Sequence, residues 1–270
     1  MIERFSKMKT KLMGVLNVTP DSSFDQGKWF DPALAIKRGI QIYKEGADIL
    51  DIGGESTRPG ATPISVEEEL RRVIPVLREL HQQIPIPISI DTMKPQVAEA
   101  ALAAGATLIN DVSGFRDPGM RRLAAEAGVK VCVMHMHETP LTMQKDPSYS
   151  EGVIPFLLRW FQEQIDILLK AGVKNQNIIL DPGIGFGKTV ADNGEIVHNL
   201  HGIKALGFPV LIGLSRKSFL GKIIGKAYPE LLPVSLAANT LAIQACVDII
   251  RVHDVAEHRD VIDLMHYLYK

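Results

Sequence analysis

The sequence predicts one α/β domain, a single (β/α)8 TIM barrel over residues 1–270, and three observations carry that prediction. The length, 270 residues, is close to that of one such barrel. Short, β-branched apolar runs alternate with amphipathic segments from end to end, as parallel strands joined by crossover helices require. The runs number eight, which favours closure over an open sheet.

The runs cover residues 12–18, 48–52, 86–90, 107–109, 129–134, 178–180, 210–214 and 248–252. Their brevity fits strands covered on both faces. Helix starts lie between them at Asp31-Pro32, Ser65-Val66-Glu67-Glu68, Lys94-Pro95 and Asp117-Pro118. In these, a side-chain acceptor or an N-terminal proline meets the unpaired amides of a first turn, and the serine segment has the pattern of a capping box. Helix stops recur at Gly46, Gly105, Gly128 and Gly172, each just before the next run. Glycine readily takes the left-handed conformation that ends a helix. Three strand-to-helix connections are long, residues 19–30, 55–64 and 136–152, and on a barrel such loops surround the active-site mouth.

Thirty Lys and Arg against 31 Asp and Glu leave a net charge of −1, so no field exists to attract nucleic acid or an acidic membrane. Any anion must be captured by a local site. Cys132 and Cys246 sit in apolar runs without a C-x-x-C partner, which reads as free thiols in a reducing compartment. The charged first residues lack the apolar core of a signal peptide, and no run reaches the ~18 apolar residues of a membrane span. A cytoplasmic protein is expected.

Polar residues mark nearly every strand's carboxyl end: Asn17, Asp51 with Glu55, Asp91, Asn110 with Asp111, His135, Asp181, Ser215 with Lys217, and Arg251 with His253. Any one alone reads as a cap or turn former. Barrel closure gathers all of them at one mouth, where barrel enzymes place their chemistry. Two other patterns mislead. Residues 183–189, Gly-Ile-Gly-Phe-Gly-Lys-Thr, are one residue short of a phosphate loop, with Pro182 where its first glycine belongs. His135 and His137 have no third metal ligand beside them.

Several of the rim segments closely resemble signatures of the dihydropteroate synthases. They are Asn17-Val18-Thr19-Pro20-Asp21-Ser22, residues 51–60 (Asp-Ile-Gly-Gly-Glu-Ser-Thr-Arg-Pro-Gly), residues 181–188 (Asp-Pro-Gly-Ile-Gly-Phe-Gly-Lys), Ser215-Arg216-Lys217-Ser218 and Arg251-Val252-His253-Asp254. Ser89-Ile90-Asp91-Thr92 and Ile109-Asn110-Asp111 match in order between them, so the resemblance spans residues 11 to about 255. It implies a transferase of folate synthesis and a sulfonamide target. The reaction would join p-aminobenzoate to 6-hydroxymethyl-7,8-dihydropterin diphosphate, with Mg²⁺ assisting departure of diphosphate. By the same resemblance Asp91, Asn110, Asp181 and Lys217 form the pterin pocket, with Met134 and Phe186 packing nearby. Arg251 and His253 form the diphosphate site, Asn17 serves Mg²⁺, and Thr57, Arg58, Pro59 and Ser218 line the p-aminobenzoate side. Asp91, Lys217, Arg251 and His253 are then the catalytic set. A homodimer through the later helices is implied too, and the apolar residues 231–247 are a candidate surface.

Two other readings share the pterin carboxylates: a methyltransferase barrel that takes a methyl group from a folate, and a non-catalytic pterin-binding protein. The first has no use for a diphosphate site, so Lys217, Arg251 and His253 argue against it, and the intact set Asn17, Asp91, Lys217 and Arg251 disfavours the second. Two departures from the family pattern stand out. Phe24, in Asp21-Ser22-Ser23-Phe24-Asp25-Gln26-Gly27, is displaced by one place, with Gln26 replacing a glycine. Glu138 stands where M-H-M-x-G has its glycine. Phe24 is expected to pack over the amine substrate when its loop closes.

Overall fold

The structure is a computed structural model that describes residues 10–19 and 31–269. Strands and helices alternate as β1 (Lys11–Asn17), α1 (Pro32–Lys44), β2 (Ile49–Gly53), α2 (Val66–Gln83), β3 (Ile88–Asp91), α3 (Pro95–Ala103), β4 (Leu108–Asp111), α4 (Pro118–Ala127), β5 (Lys130–Met134) and α5 (Val153–Lys170). There follow β6 (Ile178–Asp181), α6 (Val190–His198), the short α7 (Leu200–Lys204), β7 (Leu211–Ile212), α8 (Ser218–Ile224), α9 (Leu232–Gln244), β8 (Ile249–Val252) and α10 (Val255–Leu268). The sheet runs β6-β5-β4-β3-β2-β1-β8-β7, all parallel. A parallel bridge between Leu180 and Val210, with Leu180 N–H donating to the Pro209 carbonyl at 2.9 Å, joins β6 to the start of β7 and closes the barrel. Each expected run holds a strand. The seventh is cut to two residues because Pro209 has no N–H to add to the ladder and Gly213 is already cavity wall.

The expected helix ends appear. Asp31 Oδ1 accepts from the Ala33 and Leu34 amides, Ser65 Oγ from Glu68, and Asp117 Oδ1 from Gly119. The capping box at Ser65 is only half formed, because the Glu68 carboxylate turns outward to Arg71 and Arg72 at 2.8 and 2.7 Å. The reciprocal box forms instead at Thr189 and Asp192 on α6. Gly46, Gly105, Gly128 and Gly172 all have positive φ.

Alternation along each strand divides the core in two. Outward residues such as Leu12, Leu16, Leu50, Ile52, Ile90 and Val133 pack with the helices in one continuous cluster. At Gly14 a Cβ would lie 2.4 Å from Ile42 Cγ2, so glycine is what lets α1 rest directly on β1. Inward residues Met13, Ile49, Leu108, Cys132, Ile179, Leu211 and Ile249 form a separate apolar plug across the lumen. The residue two places further along a strand must face the same lumen, one layer nearer the mouth. From that plug, those residues are Val15, Asp51, Asn110, Met134, Asp181, Gly213 and Arg251. The polar site therefore stands on an apolar floor, and the two layers come from the same strands.

Candidate active site

The second lumen layer bounds a narrow slot of about 30 Å³ lined by Asp91, Asn110, Met134, Asp181, Lys217 and Arg251, with Val112, Ile184 and Phe186 as apolar walls. The slot shares Thr57, Asp91, Phe186, Gly213, Lys217 and Arg251 with a cleft of about 570 Å³. That cleft adds Asn17, Arg58, Pro59, Ser218 and His253. The residues that the resemblance assigned to the site all line these two connected spaces, while Asp51, Asp111 and His135, also marked at strand ends, line neither. A few directed polar groups in an apolar slot is the usual form of a site for a flat heterocycle.

A buried ion-pair network organises the slot. Arg251 donates through Nε to Asp51 Oδ2 at 2.6 Å and through NH2 to Asp91 Oδ2 at 2.7 Å. Asn110 Nδ2 donates to Asp51 Oδ2 at 3.1 Å. Asp51 is fully buried and fixes both neighbours, a role that the sequence analysis did not assign to it. The signal for it was available: Asp51 lies two places past Ile49, on the lumen-facing side of β2. Asp91 Oδ1, Asn110 Oδ1 and Asp51 Oδ1 are buried and have no hydrogen-bond partner within the protein. Buried acceptors are rarely left so, and three together define a site for a donor-bearing ligand. With its amide N–H₂ directed at Asp51, Asn110 presents an acceptor to the slot.

Charge in the slot is tuned by burial. Loss of hydration raises Asp91 to about 7 against the pull of Arg251, and it raises Asp181 too, although the Gly183 amide donates to Asp181 Oδ1 at 2.7 Å. Lys217 Nζ lies 4.4 Å from the Phe186 ring centre, and burial lowers it to about 8 despite Asp181 nearby. His253 Nδ1 faces Ser215 Oγ at 3.2 Å. Burial, then Arg251, Lys217, Arg58 and Arg216, hold His253 well below the ordinary histidine range. This revises the expected picture. His253 meets an incoming anion as a neutral imidazole, and Arg251 is already paired with two carboxylates.

The loops around the mouth are tied down by side chains. Glu55 Oε1 accepts from the Ile64 amide at 2.7 Å and from Lys94 Nζ at 2.8 Å, while Lys94 also reaches the buried Glu69 at 2.6 Å. The loop that carries Thr57, Arg58 and Pro59 is thereby closed at both ends. Arg216, at φ 55, holds Asp254 through Nε and NH2 at 2.7 and 2.8 Å and the Pro229 carbonyl through NH1 at 2.7 Å. It fixes the turn that aims Lys217 inward. His135 is buried against Trp160 and Phe156, and its Nδ1 lies 2.9 Å from Lys188 Nζ. Phe24 and the rest of residues 20–30 lie outside the described residues.

Glu138 has φ 57, which accounts for the glycine of the family pattern at that place. A left-handed non-glycine residue costs roughly 1–2 kcal/mol, while glycine restores about 0.5–1 kcal/mol of chain entropy cost. Glu138→Gly is therefore expected to stabilise the fold by somewhat under 1 kcal/mol on balance. Denaturant unfolding measures this, and a clear loss of stability would contradict it.

Comparison with known proteins agrees with this geometry. The family of pterin binding enzymes matches residues 13–253. A dihydropteroate synthase of Clostridium beijerinckii is 45% identical over 253 residues, covering 93% of this chain and 91% of its own length. The chain belongs to the dihydropteroate synthase family. Two solved dihydropteroate synthases share its fold. One, from Yersinia pestis in complex with a sulfonamide drug, superposes with a TM-score of 0.94 at 38% identity, over 96% of this chain and 94% of its own. The other, from Xanthomonas albilineans with 4-aminobenzoic acid, gives 0.89 at 43% identity, over 97% and 94%. Membership in the dihydropteroate synthases, rather than in the methyltransferase barrels, agrees with a rim rich in cations.

Proposed function

We propose that this transferase condenses p-aminobenzoate with 6-hydroxymethyl-7,8-dihydropterin diphosphate, with the pterin in the narrow slot and the amine in the wider cleft. The observation that carries the assignment of the slot is the pair of unpartnered acceptors on Asp91 and Asn110, which line it beside Asp181. An aminopyrimidinone edge is rich in N–H donors and matches them. Met134 and Phe186 pack on the ring faces. Thr57, Arg58, Pro59 and Ser218 line the cleft in which the amine, the substrate named for the Xanthomonas albilineans relative, is placed.

Bond breaking separates the pterin methylene carbon from the diphosphate oxygen, and the arylamine then bonds to that carbon. Arg251 and His253 face the leaving oxygens as donors, and Lys217 adds a positive charge. The electron-poor carbon is conjugated with the ring, and Asp91, paired with Arg251 in the slot, supplies the opposing carboxylate. The amine is nucleophilic as it stands, so no general base is required of the protein.

Mg²⁺ fits the donor set. Asn17 brings a hard amide oxygen to the cleft, and no cluster of three or more His, Cys, Asp or Glu occurs among the described residues. Magnesium commonly takes one or two protein oxygens and completes its shell with phosphate and water. Bound there, it would offset charge growing on diphosphate.

A homodimer is supported by α9 and α10, which pack together and leave Leu241, Leu264, Tyr267 and Leu268 more than half exposed. A cytoplasmic setting agrees with two free cysteines. No helix among the described residues is long and apolar enough to cross a membrane.

Diphosphate release that requires both substrates tests the reaction. Release from the pterin substrate alone, or none with both, would contradict it. The pH dependence tests Lys217. Its folded pKa is depressed to about 8, so it is charged below that value and neutral above it. The kcat/KM for the pterin diphosphate should fall as pH rises through about 8. Lys217→Arg keeps its charge there, and the alkaline limb should leave whatever activity remains. A limb unchanged in that variant would assign it to another group.

A further inference from the structure

We propose that Lys188 is a positioning residue for the pterin site: its buried ammonium holds the β6–α6 loop in the shape that presents Phe186 and Asp181 to the slot. The inference rests on the pterin reading given above. Residues 183–187 are Gly-Ile-Gly-Phe-Gly, with φ of 67, 81 and 69 at the three glycines. Such a segment has little side-chain anchorage and high chain entropy. It is pressed against β5 at Gly183, where a Cβ would stand 1.9 Å from the His135 carbonyl oxygen.

Beneath this loop Lys188 is 3% exposed. Its Nζ donates to the carbonyls of Gly183 at 2.9 Å, Phe186 at 3.1 Å and His135 at 3.4 Å, and meets His135 Nδ1 at 2.9 Å. The polarity is the reverse of a phosphate loop, in which backbone N–H groups converge on an anion. Here backbone carbonyls converge on a cation that the chain itself provides. That is the physical reason why the Gly-Lys-Thr sequence is no nucleotide site.

Both ends of the held segment reach the pterin slot. Gly183 N–H donates to Asp181 Oδ1, and Phe186 lines the slot with Lys217 Nζ 4.4 Å from its ring centre. Gln144 on the Gly185 carbonyl and Tyr149 on the Gly187 carbonyl, at 2.8 and 2.6 Å, brace the outer side. Lys188 is the side chain that reaches the inner carbonyls of Gly183 and Phe186, which also accept from the Phe186 and His137 amides at 3.1 and 3.5 Å. The residues on the p-aminobenzoate side, Thr57, Arg58, Pro59 and Ser218, belong to other loops.

The test is Lys188→Met, which keeps length and removes the donors. Calorimetry with a pterin analogue and steady-state kinetics with p-aminobenzoate at saturating pterin diphosphate would be run on the folded protein, beside the unaltered chain. The pterin Kd is expected to rise at least about tenfold, with a clearly smaller rise in the KM for p-aminobenzoate, whose cleft the loop borders only at Gly185 and Phe186. A merely structural lysine would lower the melting temperature without this split. Unchanged pterin affinity, or equal loss for both substrates, would overturn the inference. If Lys188→Met does not fold, His135→Phe keeps the aromatic packing and removes one of the tethers. A pterin Kd raised about threefold or more supports the inference, and an unchanged Kd overturns it. Failure of the unaltered chain to bind the analogue would instead bring down the pterin reading itself, and this inference with it.

Discussion

Replacing Asp181 with asparagine is expected to weaken pterin binding by roughly 2–4 kcal/mol, or about 30- to 1,000-fold. The side chain is 5% exposed and lines the narrow slot, so water offers its substrate contacts little competition. One oxygen already accepts from the Gly183 amide. The amide of asparagine has one acceptor and one donor. If its oxygen keeps Gly183, its N–H₂ is turned toward the ring N–H groups, donor against donor. If it flips, Gly183 loses its partner. Either arrangement leaves a buried polar group unsatisfied. Calorimetry with a pterin analogue measures the loss, and unchanged affinity would remove Asp181 from the site.

Arg251→Ala is expected to act twice. Turnover should fall at least about 100-fold, because a donor to the departing diphosphate is removed. Stability should fall too, by about 3–5 kcal/mol, as is typical when one partner of a buried ion pair is lost. Asp51 is fully buried and Asp91 is 9% exposed, and both carboxylates lose their cation. The resemblance assigned Arg251 to the diphosphate. The two ion pairs require the second effect as well. Turnover per folded molecule separates them: a normal value in the folded fraction would leave Arg251 a structural role only.

Much of this site is legible from alternation along the strands. Ile49, Leu108, Cys132, Ile179 and Ile249 form the floor, and a step of two from each leads to Asp51, Asn110, Met134, Asp181 and Arg251. A polar residue two places after an apolar one, at the end of a buried strand, can only face the lumen or face the helices, and the helices offer it no partner. Pairing was not legible in the same way. Asp51 and Arg251 are 200 residues apart, and they meet only because closure places β2 and β8 on either side of β1.

The charge state of His253 was equally hidden, since it depends on burial beside four cations drawn from two other loops and a strand. Lys188 shows the limit of motif reading. Its neighbours suggest an anion site, while the direction of the backbone carbonyls, which no residue name reveals, makes it the reverse. Glu138 is an intermediate case. The departure from glycine was visible in the sequence, and its meaning waited on the left-handed φ.

A crystal structure of the chain with the pterin diphosphate and Mg²⁺ tests the central claim most directly. The ring edge should lie within hydrogen-bonding distance of Asp181, Asn110 and Asp91, with the diphosphate directed toward Asn17, Arg251 and His253. A pterin seated in the outer cleft, with the acceptors on Asp51, Asp91 and Asn110 still unmet, would contradict the account.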